Sequence, residues 1–297
     1  MEIINEIKSF DNKFIDISNL SVAELWLLHY EQEKAFAGLI RQTKPFSVER
    51  AEIMHSGYKA INAIMLKRGY LEGNIIESYG SHDSYILFLK KIIKKSKKKS
   101  CIFFEAGVGT GKIIRAIAEI PNLNVMGCDI YIDKKFFNDQ LNVTEGTIYE
   151  NLLKLEDDTI DIFYWNDVIE HIPEDEIEEH IRLLAKKMAP KGLIITITPN
   201  RLNGPHDITR HYEPRGIAKG FHFYEYTFKE VLGLFKKYEI RSGYCILGFL
   251  KKGLYMIGPK WLDKIKIVLE KTAACLPYSI KRILLGLGGC SISILKK

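Results

Sequence analysis

The strongest constraint on this chain is CIFFEAGVGTGK, residues 101 to 112, where an apolar run stops at Glu105 and turns through glycines at 107, 109 and 111. Glycine reaches positive φ without strain and lets backbone approach a ligand with no Cβ in the way. The next residues, KIIRAIAEI, set Ile113, Ile117 and Ile120 at helical spacing. Strand, tight turn and helix are therefore expected, the context of a nucleotide-cofactor loop. Two loops of that kind do not fit. A P-loop needs glycine where Ala106 stands and a magnesium-binding hydroxyl where Ile113 stands. A dinucleotide G-x-G-x-x-G begun at Gly107 places its third glycine on Lys112, and begun at Gly109 on Ile114. E-x-G-x-G-x-G is matched at every defined position.

With that pattern the chain resembles the class I S-adenosylmethionine-dependent methyltransferases. The resemblance implies an α/β, Rossmann-like sheet and S-adenosylmethionine as cofactor, held by Glu105, Ala106, Gly107, Gly109 and Gly111. That cofactor has an amino acid end and no pyrophosphate, so a carboxylate at the strand end suits its ammonium group. NLNVMGCDIY reads as a second strand ending in Asp129, followed by Ile130. Asp129 lies about 20 residues beyond the turn, the spacing of a carboxylate that accepts ribose hydroxyls. A third apolar strand, Ile160 to Trp165, opens into Asn166, Asp167, Glu170 and His171. A helix is expected from Pro173, with Ile177, Ile181, Leu184 and Met188 on one face, and LIITITPN is expected as a strand buried on both faces. Where the family often has an acidic residue for adenine, this chain offers Thr147 and Ile148, with Glu145 as a substitute.

Methyl transfer is an in-line displacement, so the protein supplies orientation, exclusion of water and, for a hydroxyl acceptor, a base. His171 and His222 are the candidate catalytic bases, and His206 and His211 lie in the same loop as His222. GPHDITRHYEP followed by GFHFYEYTFKEV is similar to bacterial methyltransferases of polysaccharide and glycolipid assembly, a resemblance covering about residues 100 to 240. It implies a sugar or glycolipid acceptor methylated on a hydroxyl or amine. Phe221, Phe223, Tyr224 and Tyr226 suit either a sugar ring or an ordinary core edge. No metal is expected in this reading. Alternatively, Asp167, Glu170, His171 and His222 resemble the E-x-x-E-H and distal histidine of metal-dependent enzymes acting on small RNA ends, with Asp in place of the first Glu. A cofactor-binding scaffold without transfer activity is the third reading.

The remainder of the chain sets the domain plan. Residues 1 to 95 are expected as an N-terminal helical region, with Leu25, Leu28, Ala35 and Leu39 at helical intervals and a Ser47 cap. Residues 96 to 297 are expected as the methyltransferase domain, with a C-terminal helical insertion at about 257 to 287 and GCSISILKK as a final antiparallel edge strand. The insertion reads as a helical pair broken at Pro277, carrying apolar Trp261, Ile265, Val268 and Leu269 and basic Lys260, Lys264, Lys266 and Lys271. A basic amphipathic helix fits either packing on the domain or peripheral contact with a membrane. The seven lysines of KKIIKKSKKKS, residues 90 to 100, read as a solvated helix end and linker. Nucleic acid is not the expected partner. Five cysteines without C-x-x-C pairing fit a reduced compartment, and MEIINEIKSFDNKF shows no signal-peptide pattern, so a cytoplasmic location is expected.

Overall fold

The protein is described from a computed structural model, in which residues 5–72, 83–96, 101–137, 141–281 and 290–297 are described. The chain forms two compact units. One comprises residues 1–80 with 205–223, and the other residues 81–204 with 224–297.

The first unit opens with a hairpin, β1 (Glu6–Lys8) and β2 (Phe14–Asp16), which the helical expectation omits. Two long helices follow, α1 (Val22–Gln42) and α2 (Val48–Leu71). Ser21 and Glu24 form a capping box at the start of α1, satisfying two of the donors that a helix N-terminus leaves open. Ser47 caps α2 through the Arg50 amide. The buried apolar stripe of α1 is Leu25, Phe36, Ala37 and Ile40. Leu28, Ala35 and Leu39 sit at its margin, because His29, Gln32 and Glu33 take interior positions in a polar network that spacing does not reveal. Phe221 and Phe223 complete this core, so the segment after residue 204 belongs to it.

The second unit is built on an eight-stranded sheet. Its elements are α3 (Asp83–Ser96), β3 (Cys101–Ala106), α4 (Lys112–Ala118), β4 (Leu123–Asp129), β5 (Asn142–Glu145), α5 (Ile148–Leu153), β6 (Ile160–Asn166), α6 (Ile177–Lys187), β7 (Met188–Pro199), α7 (Phe228–Lys236), β8 (Arg241–Phe249), β9 (Leu254–Gly258), α8 (Asp263–Ala274) and β10 (Cys290–Lys296). The strand order is β5-β4-β3-β6-β7-β10-β8-β9. The first five are parallel and the last three antiparallel. The chain steps outward from β3 to β5, then returns to β6 on the other side of β3. That reversal creates the crevice at the carboxyl ends of the strands where doubly wound sheets bind ligands.

Strand alternation assigns the two faces. Phe103, Ile162, Tyr164 and Ile195 pack with α3 and α4, while Phe104, Phe163, Trp165 and Ile194 pack with α5, α6 and α7. The buried face of α6 carries Ile177, Ile181 and Leu184 as the periodicity predicts, whereas Met188 already begins β7. The helix α3 joins this unit through Tyr85, Phe88, Leu89 and Ile92, so the division falls near residue 80 and not 95. Its Lys91, Lys94 and Lys95 face outward, and residues 97–100 of the lysine run lie outside the described residues. The strand β10 is antiparallel but interior, between β7 and β8. Its Ser-Ile alternation suggests a half-solvated edge, yet Ser291 and Ser293 are small enough to be buried beside Ile292 and Ile294. The expected insertion begins on the last residues of strand β9, and among its described residues only α8 is a full helix; most of the second helix predicted after Pro277 lies outside the described residues.

Candidate functional site

Three strand ends of the second unit build the site. Gly107, Gly109 and Gly111 all have positive φ, at 75°, 53° and 72°. A Cβ on Gly107 would stand 2.4 Å from Val168 Cγ2, so glycine is what lets the end of β3 close against the segment leaving β6. A Cβ on Gly109 would meet nothing within 4 Å, leaving this backbone open to a ligand. Gly111 begins α4 in the left-handed conformation. The turn is pinned to β4: the Gly107 amide donates to the Cys128 carbonyl at 2.8 Å, and the Gly109 amide to Asp129 Oδ2 at 2.8 Å.

Asp129 thus ends β4 with one oxygen on the glycine turn, while its other oxygen has a long contact, 3.4 Å, with the Tyr131 amide. Burial pushes its carboxyl above the usual carboxylate range, opposed by the backbone amides it accepts from. Glu105 is only 3% exposed, and its Oε2 has no hydrogen-bond partner. Burial, with Asp129 adding negative charge beside it, raises the Glu105 carboxyl well above its ordinary value. A buried, unsatisfied carboxylate oxygen is costly unless a ligand completes it. Ala106 is fully buried in the strand and Ile130 half-buried beyond Asp129.

At the end of β5, Gly146 donates to the Asp129 carbonyl at 2.8 Å, which holds the next turn beside the site. The Thr147 hydroxyl is committed to capping α5 through the Glu150 amide, and Glu145 accepts from the Ile132 amide. Ile148 packs half-buried against the core. This edge therefore offers an apolar wall and helix-terminal backbone rather than a Thr147 side-chain contact.

At the end of β6, Asn166 Nδ2 donates to Asp167 Oδ2 at 3.2 Å, and Asn166 Oδ1 is buried without a partner. Asp167 takes φ of 53°, a conformation aspartate tolerates better than most residues, while its amide donates to the Ile197 carbonyl of β7. A short 3-10 turn then carries Ile169 to His171. Glu170 is fully buried and accepts from Thr198 Oγ1 at 2.9 Å, tying that turn to β7. His171 stands half-buried beside it.

Glu105, the glycines, Asp129, Asn166, Asp167 and His171 therefore share the carboxyl edge of one sheet. His206, His211 and His222 belong to the other unit. There His211 packs tilted against Trp26 with ring centres 4.4 Å apart, and carboxylates hold the loop: Asp207 accepts from the Gly220 amide at 2.7 Å and Glu33 from the Phe221 amide at 2.9 Å. The four aromatics divide likewise. Phe221 and Phe223 are core of the first unit, whereas Tyr224 and Tyr226 line a cleft of about 840 Å³ in the second. This cleft lies between α6, α7 and α8, with Arg201 and Leu202 reaching it from the segment that leaves β7. Arg201 donates to the Tyr224 hydroxyl and to Glu230. Sequence reading missed the Glu170–Thr198 tie and the Arg201, Tyr224 and Glu230 group, which come from separate segments with no local pattern to announce them.

Residues 104–196, from within β3 to within β7, match the family described as methyltransferase domain. A S-adenosylmethionine-dependent methyltransferase from Archaeoglobus fulgidus shares the fold with a TM-score of 0.52 and 20% identity, over 74% of this chain and 96% of that one. The 1,6-didemethyltoxoflavin-N1-methyltransferase of Burkholderia thailandensis, solved with 1,6-didemethyltoxoflavin and S-adenosylhomocysteine, aligns with a TM-score of 0.49 and 12% identity, over 86% of this chain and 92% of that one. No curated protein matches the chain. The family match spans the glycine turn, the acidic end of β4 and the β6 edge, so this segment of the chain is similar to a methyltransferase domain.

Proposed function

We propose that this protein transfers a methyl group from S-adenosylmethionine to a hydroxyl or amine of a sugar or glycolipid acceptor. The observation that carries the cofactor assignment is the pairing of an open Gly109 backbone with Asp129, whose Oδ2 fixes the turn and leaves Oδ1 for ribose hydroxyls. The buried, unpartnered oxygen of Glu105 fits the ammonium of the methionine moiety, as an ionised acceptor for a charged donor. Ala106, Gly107 and Gly111 shape the turn, Ile130 and Ile148 give apolar cover to the adenine, and Asn166 and Asp167 stand beside the methionine end. Thr147 contributes the cap that presents this helix terminus.

The bound cofactor supplies an activated sulfonium methyl group. The protein then has to orient the acceptor, exclude water and remove one proton. His171, on the turn leaving β6, takes the acceptor's proton as its oxygen or nitrogen attacks the methyl carbon; His222 is the second candidate base. The cleft supports the acceptor class, because Tyr224 offers an aromatic face and Arg201 and Glu230 offer polar partners beside it.

Calorimetric titration with S-adenosylmethionine, S-adenosylhomocysteine and NADH tests the first step. Micromolar binding of the first two, absent for NADH and lost in Asp129→Ala, is the expected result, followed by methyl transfer in a screen of sugar acceptors. Absence of binding to either sulfur cofactor would overturn the assignment.

A further inference from the structure

The helix α8 is packed inside out. Its inward stripe is Asp263, Lys266, Glu270 and Ala273, while Trp261 in the preceding turn, Ile265, Val268 and Leu269 face solvent, with Leu269 62% exposed and Trp261 59%. At about 100° per residue these two sets occupy opposite sides of the helix. The inward charges are anchored. Asp263 accepts from the Ser242 hydroxyl, and Lys266 Nζ donates to the Ile292 carbonyl at 2.8 Å and lies 3.8 Å from the centre of the Phe228 ring. Glu270 accepts from Asn200 at 2.6 Å and from the Phe228 and Lys229 amides at 2.7 and 3.1 Å. This register is therefore fixed by specific partners, and the apolar stripe is held outward by it.

The exposed charge of this segment has one sign. Lys260, Lys264 and Lys271 are exposed along one side of it, and the only acidic residues between 251 and 281, Asp263 and Glu270, are both buried. Leu254 and Met256 on the terminal strand β9, just before the helix, are also exposed. No described helix is long and apolar enough to cross a membrane.

We propose that the outer face of α8 docks on an anionic lipid bilayer, with Trp261, Ile265, Val268 and Leu269 entering the headgroup boundary and the three lysines meeting lipid phosphates. An apolar stripe bordered by lysines, with no exposed acid in its own segment, is the pattern that interfacial helices use. Such docking would hold the enzyme beside lipid-linked acceptors, yet it needs neither cofactor nor acceptor, so its test is independent of the transfer reaction.

The full-length protein would be sedimented with vesicles of phosphatidylcholine alone and with about one third phosphatidylglycerol. Binding to the anionic vesicles only, weakened by salt, is expected. Substituting Lys260, Lys264 and Lys271 with Gln should weaken it by about 100-fold, at about fivefold per lysine. Val268→Ser with Leu269→Ser should abolish it, and brominated acyl chains should quench a fluorescence component that Trp261→Phe removes. These positions are exposed, and unchanged circular dichroism would verify that the variants fold. Failure to bind anionic vesicles, or binding indifferent to both sets of substitutions, would overturn the proposal. So would a concentration-dependent dimer dissolved by the two serine substitutions, which would give the face to a second copy of the chain.

Discussion

Glu105 shows how one residue links the fold to the ligand. Its folded-state pKa is raised, by burial first and by the charge of Asp129 second. The stability it confers is therefore complete below the ordinary carboxylate range and is lost as pH rises through the raised value. Without cofactor, Glu105→Gln should gain stability over the natural chain as pH increases from about 5 to about 8, since the amide has no proton to lose. Chemical denaturation across that range checks this, and equal pH profiles for the two proteins would refute it. Binding an ammonium group demands the ionised carboxylate. Titration with S-adenosylmethionine in buffers of differing ionisation enthalpy should thus register proton release that diminishes in Glu105→Gln. Glu105 and Asp129 could both be named from sequence because the chemistry needs a carboxylate at a strand end at a set spacing. The Asp129–Gly109 bond could not, since it depends on β4 lying in register beside β3.

Elements differ in how much of their placement is local. The strand β3, its turn and α4 follow from apolar spacing and glycine, and α7 starts at the Thr227–Glu230 capping box that its own sequence encodes. The second cap of α7 is not local. It is Glu270, brought from α8 to accept two α7 amides and the Asn200 side chain. Glu270→Ala should destabilise the protein by about 1–3 kcal/mol, because it leaves the buried Phe228 amide unmet and takes an acceptor from the part-buried Lys229 amide and from Asn200, which keeps only Ser291. The denaturant midpoint measures this loss, and Glu270→Gln, which keeps part of the acceptor geometry, should fall between the two. A cost below that of an ordinary surface substitution would show that water replaces Glu270 there.

Over the whole molecule, the cofactor edge and the α8 face are separate parts of the second unit, and amide exchange should report them separately. Adding S-adenosylhomocysteine should slow exchange in residues 105–111, 127–131 and 145–148 and leave 263–274 unchanged, while anionic vesicles should do the reverse. Mass spectrometry of exchanged peptides reads both, and protection of α8 by cofactor alone would merge the two surfaces. By itself the sequence determined strands β3, β4, β6 and β7, the glycine turn and the carboxylates at their ends, because apolar runs, positive φ and fixed motif spacing are local properties; the short β5 carries no such run. Tertiary structure alone decided the rest. It assigned residues 205–223 to the first unit, since Phe221 and Phe223 find their core with α1 and α2. It put β10 inside the sheet, since buried serines look like exposed ones in a sequence. It also turned α8, which carries an apolar and a charged stripe on opposite sides. Periodicity identifies both stripes, but only the unmet amides of α7 and the Ile292 carbonyl could select the charged one for the interior.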